Sequence, residues 1–184
     1  MKAWHFVNKN NRLGYDDNRL VRVGITHTIE GTPRLCGNGL HGSKRIIDAL
    51  KYAEYHTLYR VDIQGDIVEG SDKLCGLSRT YLQRFDMEDI LFEFSRWVAK
   101  RNITKIKPYS NKEDYALIIK WLNTGDQSIR SAAESAALSA ARSAAESAAR
   151  SAAGSAARSA GSAAESAQER KLRQMIKAKF GEIK

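Results

Sequence analysis

LCGNGLHGSKRIIDALKYA, residues 35–53, followed by TLYRVDIQGDIVEGSDKLCG, residues 57–76, decides the fold. The first half of residues 35–53 is punctuated by Gly37, Gly39 and Gly42 and reads as a turn. Ser43 stands where a helix N-cap belongs. Ile46, Ile47, Leu50 and Ala53 then recur at i, i+1, i+4 and i+7, one face of an amphipathic helix. After His56 the period changes to two. Tyr59, Val61 and Ile63 point one way, and Arg60, Asp62 and Gln64 the other, as in a half-buried strand. Gly65-Asp66 reads as a turn or bulge, and Ile67-Val68 resumes a strand.

Working outward, Lys2 to Val7 is aromatic and β-branched and predicts a first strand. Arg12 to Gly24, with the turn-prone Tyr15-Asp16-Asp17-Asn18, predicts a hairpin, and Ile25 to Ile29 a short strand. Leu74 to Phe85 holds at least one more. Asp86 is placed to cap a helix with the stripe Ile90, Leu91, Phe94, Trp97 and Val98. Ser110 with Glu113 forms a capping box for another, striped by Tyr115, Ile118, Ile119 and Leu122 and closed by Gly125. Strands first, one helix embedded among them and two helices after predict an α+β domain over residues 1–125: a small split antiparallel sheet with packed helices.

Residues 126–184 are of another kind. From Ser131 to Ala167 the chain is written in a four-residue word: SAAE, SAAL, SAAR, SAAE, SAAR, SAAG, SAAR, a shortened SAG, then SAAE. Alanine is the strongest helix former, so a long Ala/Ser-rich helix is expected, with Asp126 as its cap and Gly154 and Gly161 as its bends. Each tetrad advances 400° against about 360° for whole turns, so any one letter drifts by about 40° per repeat. Such a stripe cannot form a left-handed heptad seam. Two uses are open: a hairpin or inter-chain bundle of closely packed small faces, or a single exposed spacer helped by pairs such as Glu146–Arg150. A ligand-binding face is a third. Beyond the repeat, Leu172, Met175, Ile176, Phe180 and Ile183 form an ordinary apolar stripe that docks on the head, a second copy or a partner.

The net charge is +9, with 30 Lys+Arg against 21 Asp+Glu. Arg170, Lys171, Arg173, Lys177, Lys179 and Lys184 crowd the C-terminus, which makes nucleic acid a partner to consider. Met1 runs directly into a strand-like segment, so no secretory leader is expected. No apolar run reaches the roughly 18 residues of a membrane span. A cytoplasmic protein with reduced Cys36 and Cys75 is expected. His27, Cys36, His41 and Cys75 are of zinc-binding type, but their spacings match no standard ligand pair, and no metal is assigned. Gly37-Asn38-Gly39 is not followed by the GK[ST] of a phosphate-binding loop. Neither a Ser-His-Asp nor an HExxH arrangement appears.

The pieces KAWHF (2–6), GLHGS (39–43), DALKYA (48–53) and GDIVEGSDKL (65–74), with the Ala-rich repeat behind them, resemble an uncharacterised domain family of phages and prophages. The main departure is Gly42, where that family usually has Ala. The resemblance implies a mobile-element origin and no established activity. More distantly, His5 in the first strand, Gly39-Leu40-His41-Gly42-Ser43 and the helix after it resemble the ADP-ribosyltransferase fold. That resemblance implies His5 on the cofactor ribose, His41 in the place of the aromatic that stacks on nicotinamide, and Gly39 and Ser43 beside the cofactor. The late-strand Glu of those enzymes has no counterpart in Arg79-Thr80-Tyr81-Leu82, and Glu69 comes early in the order. The catalytic candidates are therefore His5, His41 and Glu69, and the residues by themselves name no cofactor. The leading expectation is a phage-type accessory protein that acts by binding a host protein, with counter-defence as the role such an origin suggests, and that self-associates or spaces itself through its tail. An NAD-handling enzyme and a basic nucleic-acid-associated protein are the alternatives.

Overall fold

The computed structural model describes residues 1–14, 17–150 and 157–183, and the side chains of all of these except 145–150 and 157–163. The predicted Tyr15-Asp16 turn, the Glu146–Arg150 pair and Gly154 lie outside what is described. The chain is α+β and forms two compact units: Met1–Leu91 with Glu165–Lys184, and Phe92–Ala164. These units divide the chain at places other than the change of composition at Gly125.

In the first unit, β1 (Lys2–Val7), β4 (Thr57–Gln64), β7 (Ser78–Asp86) and β2 (Thr26–Thr28) form an antiparallel sheet in the order β1-β4-β7-β2. A smaller antiparallel sheet has the order β3 (Leu40–Gly42), β6 (Leu74–Gly76), β5 (Val68–Glu69). The two are joined where Trp4 and Ser43 exchange backbone hydrogen bonds of 2.8 and 2.9 Å. The expected hairpin over Arg12–Gly24 is reduced to a single bridge between Arg12 and Leu20.

The alternation read in the sequence sorts the larger sheet into two faces. Ala3, Val7, Tyr59, Val61, Ile63 and Tyr81 cluster on one with Leu40 and Leu74 of the smaller sheet. The other carries Trp4, Leu58 and Phe85, all fully buried. A bulge between Arg60 and Val61 shifts the β4–β7 register and keeps the inward phase on both sides of it.

Ser43 does not cap the embedded helix α1 (Ile46–Leu50). Its backbone is committed to Trp4, and the N-cap position falls to Arg45, whose side chain makes no capping bond. The orphan amide of Ile47 is instead taken by Glu169 Oε2 at 2.8 Å, from the C-terminal helix. That helix, α5 (Ala157–Phe180), runs through Gly161 without a break. Its apolar stripe docks on the Trp4/Phe85 face. Leu172 and Ile176 are fully buried, Phe180 meets Phe85 edge-on at 5.3 Å, and Arg173 lies over the Trp4 ring. Arg60 stacks on the same indole at 4.8 Å. Charged pairs frame the contact: Arg45 with Asp48 and Glu165, and Lys179 with Asp89.

α2 (Glu88–Asn102) starts in the first unit, where Asp86 Oδ1 accepts the amide of Glu88 as expected of a cap. In the second unit, α3 (Lys112–Thr124) is capped by Asn111, which accepts from the Asp114 amide at 2.7 Å while its own amide donates to Asp114. This box sits one residue beyond the predicted Ser110–Glu113 pair, because Ser110 closes the preceding turn onto Ile106 O. Gly125, at φ 68°, ends α3 with a bond to Trp121 O. Asp126 accepts from Ser128, and α4 (Arg130–Arg150) follows. Ile118 and Leu122 of α3 pack with Ala136 of α4. Among the described side chains of α4, the buried alanines are Ala133, Ala136 and Ala140. They are the third letter of one word and the second letter of the next two, the shift that a drifting tetrad requires when its partner face is fixed. Leu138, the one large apolar residue in these words, is exposed.

Candidate functional site

Of the sequence candidates, His5 lies on the inner face of the larger sheet, and His41 and Glu69 belong to the smaller sheet opposite it. Strand alternation puts Arg79 and Tyr81 of β7 on that face, and the β2–β7 register sets His27 beside Arg79. Arg79 is almost fully buried, at 2 % exposure. Its Nε and Nη2 donate to the Tyr81 hydroxyl at 3.0 and 2.7 Å, and its Nη1 donates to the His41 carbonyl at 2.5 Å. The guanidinium thus ties the two sheets together through uncharged acceptors. His27 Nδ1 lies 3.2 Å from the same hydroxyl, and the Tyr81 ring meets both His27 and Tyr59 edge-on.

Burial is the first cause of the shifts of His5, His27, His41, Arg79 and Tyr81. It holds the His5 imidazole well below its ordinary value, with Arg79 and then His41 adding to the effect. His41 is lowered by burial, then by Lys73 and Arg79. His27 is lowered by burial, then by Arg19 and Arg79. The three rings are accordingly neutral near pH 7. The charged groups that lower them are cations. Asp17, the acid that offsets His27 and Arg79, is held in a fork by Arg19 Nε and Nη2 at 2.8 and 2.6 Å.

His5 and His41 therefore share one electrostatic environment, centred on Arg79. Glu69 belongs elsewhere: at the end of β5 it is ion-paired with Lys44. Ser43 is buried in the junction of the sheets. Gly39 lies against β6, where a Cβ would come within 2.7 Å of Cys75 Cβ. Gly42, the departure from the Ala of the resembling family, faces Ala3 and Ile63 with only 3.0 Å of room for a Cβ. The reading of RTYL as a strand without a useful Glu passed over Arg79 and Tyr81. No local signal marked Arg79, whose inward phase is fixed by its pairing with Ile63 and His27.

Among the described residues, one group has donor atoms close enough to hold a metal ion: His56, Asp86 and Glu88. Asp86 is already engaged there by His56 Nδ1 at 2.9 Å and by the first amide of α2. No helix is long and apolar enough to cross a membrane among the described residues. The C-terminal cations are largely spoken for: Arg173 pairs with Glu169, Lys177 with Glu182 and Lys179 with Asp89.

Fold and site together define a small α+β domain with a split antiparallel sheet and a basic, aromatic inner face. Residues 1–93 match the family described as a domain of unknown function (DUF7666), and the chain belongs to that family. No curated protein and no solved structure matches it.

Proposed function

We propose that this chain is a phage-type accessory protein that acts by binding, and that its head recognises an anionic group of its partner on the face shared by His5, His41 and Arg79. The observation that carries this reading is the local charge: the groups bearing on both histidines are cationic, and Glu69 is paired with Lys44. A transferase of the ADP-ribosyl type needs a carboxylate at the ribose, whereas a site with the sign found here suits an anion. The phage-type origin rests on the resemblance of the KAWHF, GLHGS and GDIVEGSDKL segments. A host protein with an acidic or phosphorylated surface is the partner this chemistry fits, and counter-defence is the role such an origin suggests. The tail acts as the spacer or self-association element. The ion pairs around Arg173, Lys177 and Lys179 leave less free charge for nucleic acid than the composition suggests.

The NAD-handling reading keeps one point in its favour, the common electrostatic environment of His5 and His41. A single set of measurements separates the two. Thermal unfolding is followed during titration with inorganic pyrophosphate, ADP-ribose and NAD, and nicotinamide release is assayed in parallel. Recognition predicts a salt-sensitive rise in midpoint that His41→Gln abolishes, with NAD left intact. Nicotinamide release would move the assignment to an enzyme, and indifference to all three anions would remove the anion-recognition claim. Light scattering on a chain lacking residues 143–158 tests self-association: an unchanged mass in both forms excludes it.

A further inference from the structure

We infer that Cys36 and Cys75 form a peroxide-responsive dithiol whose oxidation clamps the 35–39 turn onto β6 beside His41. The inference is independent of the binding reading above.

Cys36 is exposed, and it occupies the second central position of the turn closed by Gly37 N–H on Arg34 O at 3.1 Å. Its φ of 58° is a left-handed conformation that a side-chain-bearing residue seldom adopts. The turn is held over β6 from two sides. The Cys36 amide donates to His41 Nε2 at 3.3 Å. Gly39, three residues on, lies so close to Cys75 that a Cβ there would sit 2.8 Å from the Cys75 sulfur. Because β3 pairs with β6, His41 stands directly opposite Cys75. After burial, Cys36 is among the groups that push the Cys75 thiol up.

The pair is asymmetric in the way an attacking and a resolving thiol must be. Cys36 is accessible at the surface. Cys75 is fully buried, and burial pushes its thiol up, so it stays protonated and unreactive until a partner is presented to it. Hydrogen peroxide is the oxidant. The Cys36 sulfur attacks one peroxide oxygen and keeps it as a sulfenic acid, while the O–O bond breaks and the other oxygen leaves as water. The Cys75 sulfur then attacks the sulfenic sulfur. Its proton and the sulfenic hydroxyl leave as a second water, and the S–S bond forms. Two thiols are oxidised by two electrons and one peroxide is reduced to two waters.

The test treats the full chain with one equivalent of hydrogen peroxide in the presence of dimedone, then maps peptides without reduction. The expected product has lost two hydrogen atoms, carries no dimedone, contains the 36–75 crosslink and reverts with dithiothreitol. Cys75→Ser is expected to accumulate the dimedone adduct on Cys36, and Cys36→Ser to remain unmodified. The wild-type map decides alone should Cys75→Ser fold poorly, which circular dichroism would show. A dimedone adduct, a sulfinic acid at Cys36 with Cys75 still alkylatable after denaturation, or a crosslink between two chains would each overturn the assignment.

Discussion

Replacing Leu172 or Ile176 by Ala probes the least expected contact in the molecule, that of the C-terminal helix with the β1-β4-β7-β2 sheet. Both side chains are fully buried, and Met175 beside them is 7 % exposed. Removing such a side chain costs about 2–5 kcal/mol, the lost transfer energy plus the residual cavity. Burying all three contributes about 5–9 kcal/mol, at about 1.5–3 kcal/mol for each. A domain of this size has a total stability of about 5–15 kcal/mol. Each single substitution should therefore remove a large fraction of the stability, and a chain ending at residue 164 should fail to fold its first unit. Urea titration followed by tryptophan fluorescence reads this directly, since Trp4 is fully buried beneath Arg173. Gln174→Ala, on the exposed side of the same helix, should stay within about 0.5 kcal/mol of the parent. Should Leu172→Ala and Ile176→Ala behave like Gln174→Ala, the helix does not belong to the core and the account of the first unit is wrong.

Three further outcomes follow from the geometry. Glu169→Ala strips the Ile47 amide of its acceptor and should lower stability by about 1–3 kcal/mol, read as a thermal midpoint, whereas a neutral effect would mean α1 needs no cap from α5. Gly39→Ala drives a methyl group into Cys75 and should cost about 1–3 kcal/mol, while Gly14→Ala, with nothing within 4 Å, should not; equal effects would contradict the close approach. His5 and Asp48 are both depressed in the folded state, His5 by burial and then Arg79, and Asp48 chiefly by Arg45. Each therefore binds fewer protons folded than unfolded, so stability should fall as pH drops. The His5 contribution starts to go below about pH 6.5 and the Asp48 contribution below about pH 3.9. Urea midpoints that stay level from pH 7.5 to 5 would contradict the first part, and His5→Gln should make that limb shallower, with His27 and His41 supplying the remainder.

The sequence carried the fold wherever one face of an element had to be apolar. The period-two run over Tyr59–Ile63, the stripe of α3 and the Gly125 stop all appear as read. It misled where a backbone group is satisfied from far away. Ser43 looked like a cap, but no local pattern announces that the cap of α1 arrives from Glu169, 122 positions along the chain. At the site, His5 and His41 were legible as polar residues in unusual surroundings. Arg79 was not, because a single charged residue in a strand is silent about its phase until the neighbouring strands fix it. The docking of Leu172 and Ile176 was open for a related reason: an amphipathic stripe announces that it will be covered and leaves the cover unnamed.

That docking changes the standing of the serine–alanine words. The segment from Phe92 to Ala164 is not a free end; it is an insertion held at both borders, because the chain must come back to place Glu165–Phe180 on the sheet. The entropy of closing such an excursion grows only with the logarithm of its length, about 0.6 kcal/mol for each doubling. Words gained or lost in its midst, by slippage in a repetitive gene, should therefore be nearly invisible to the folding of the sheet that bounds it. The length of the repeat is free to be set by whatever the second unit does.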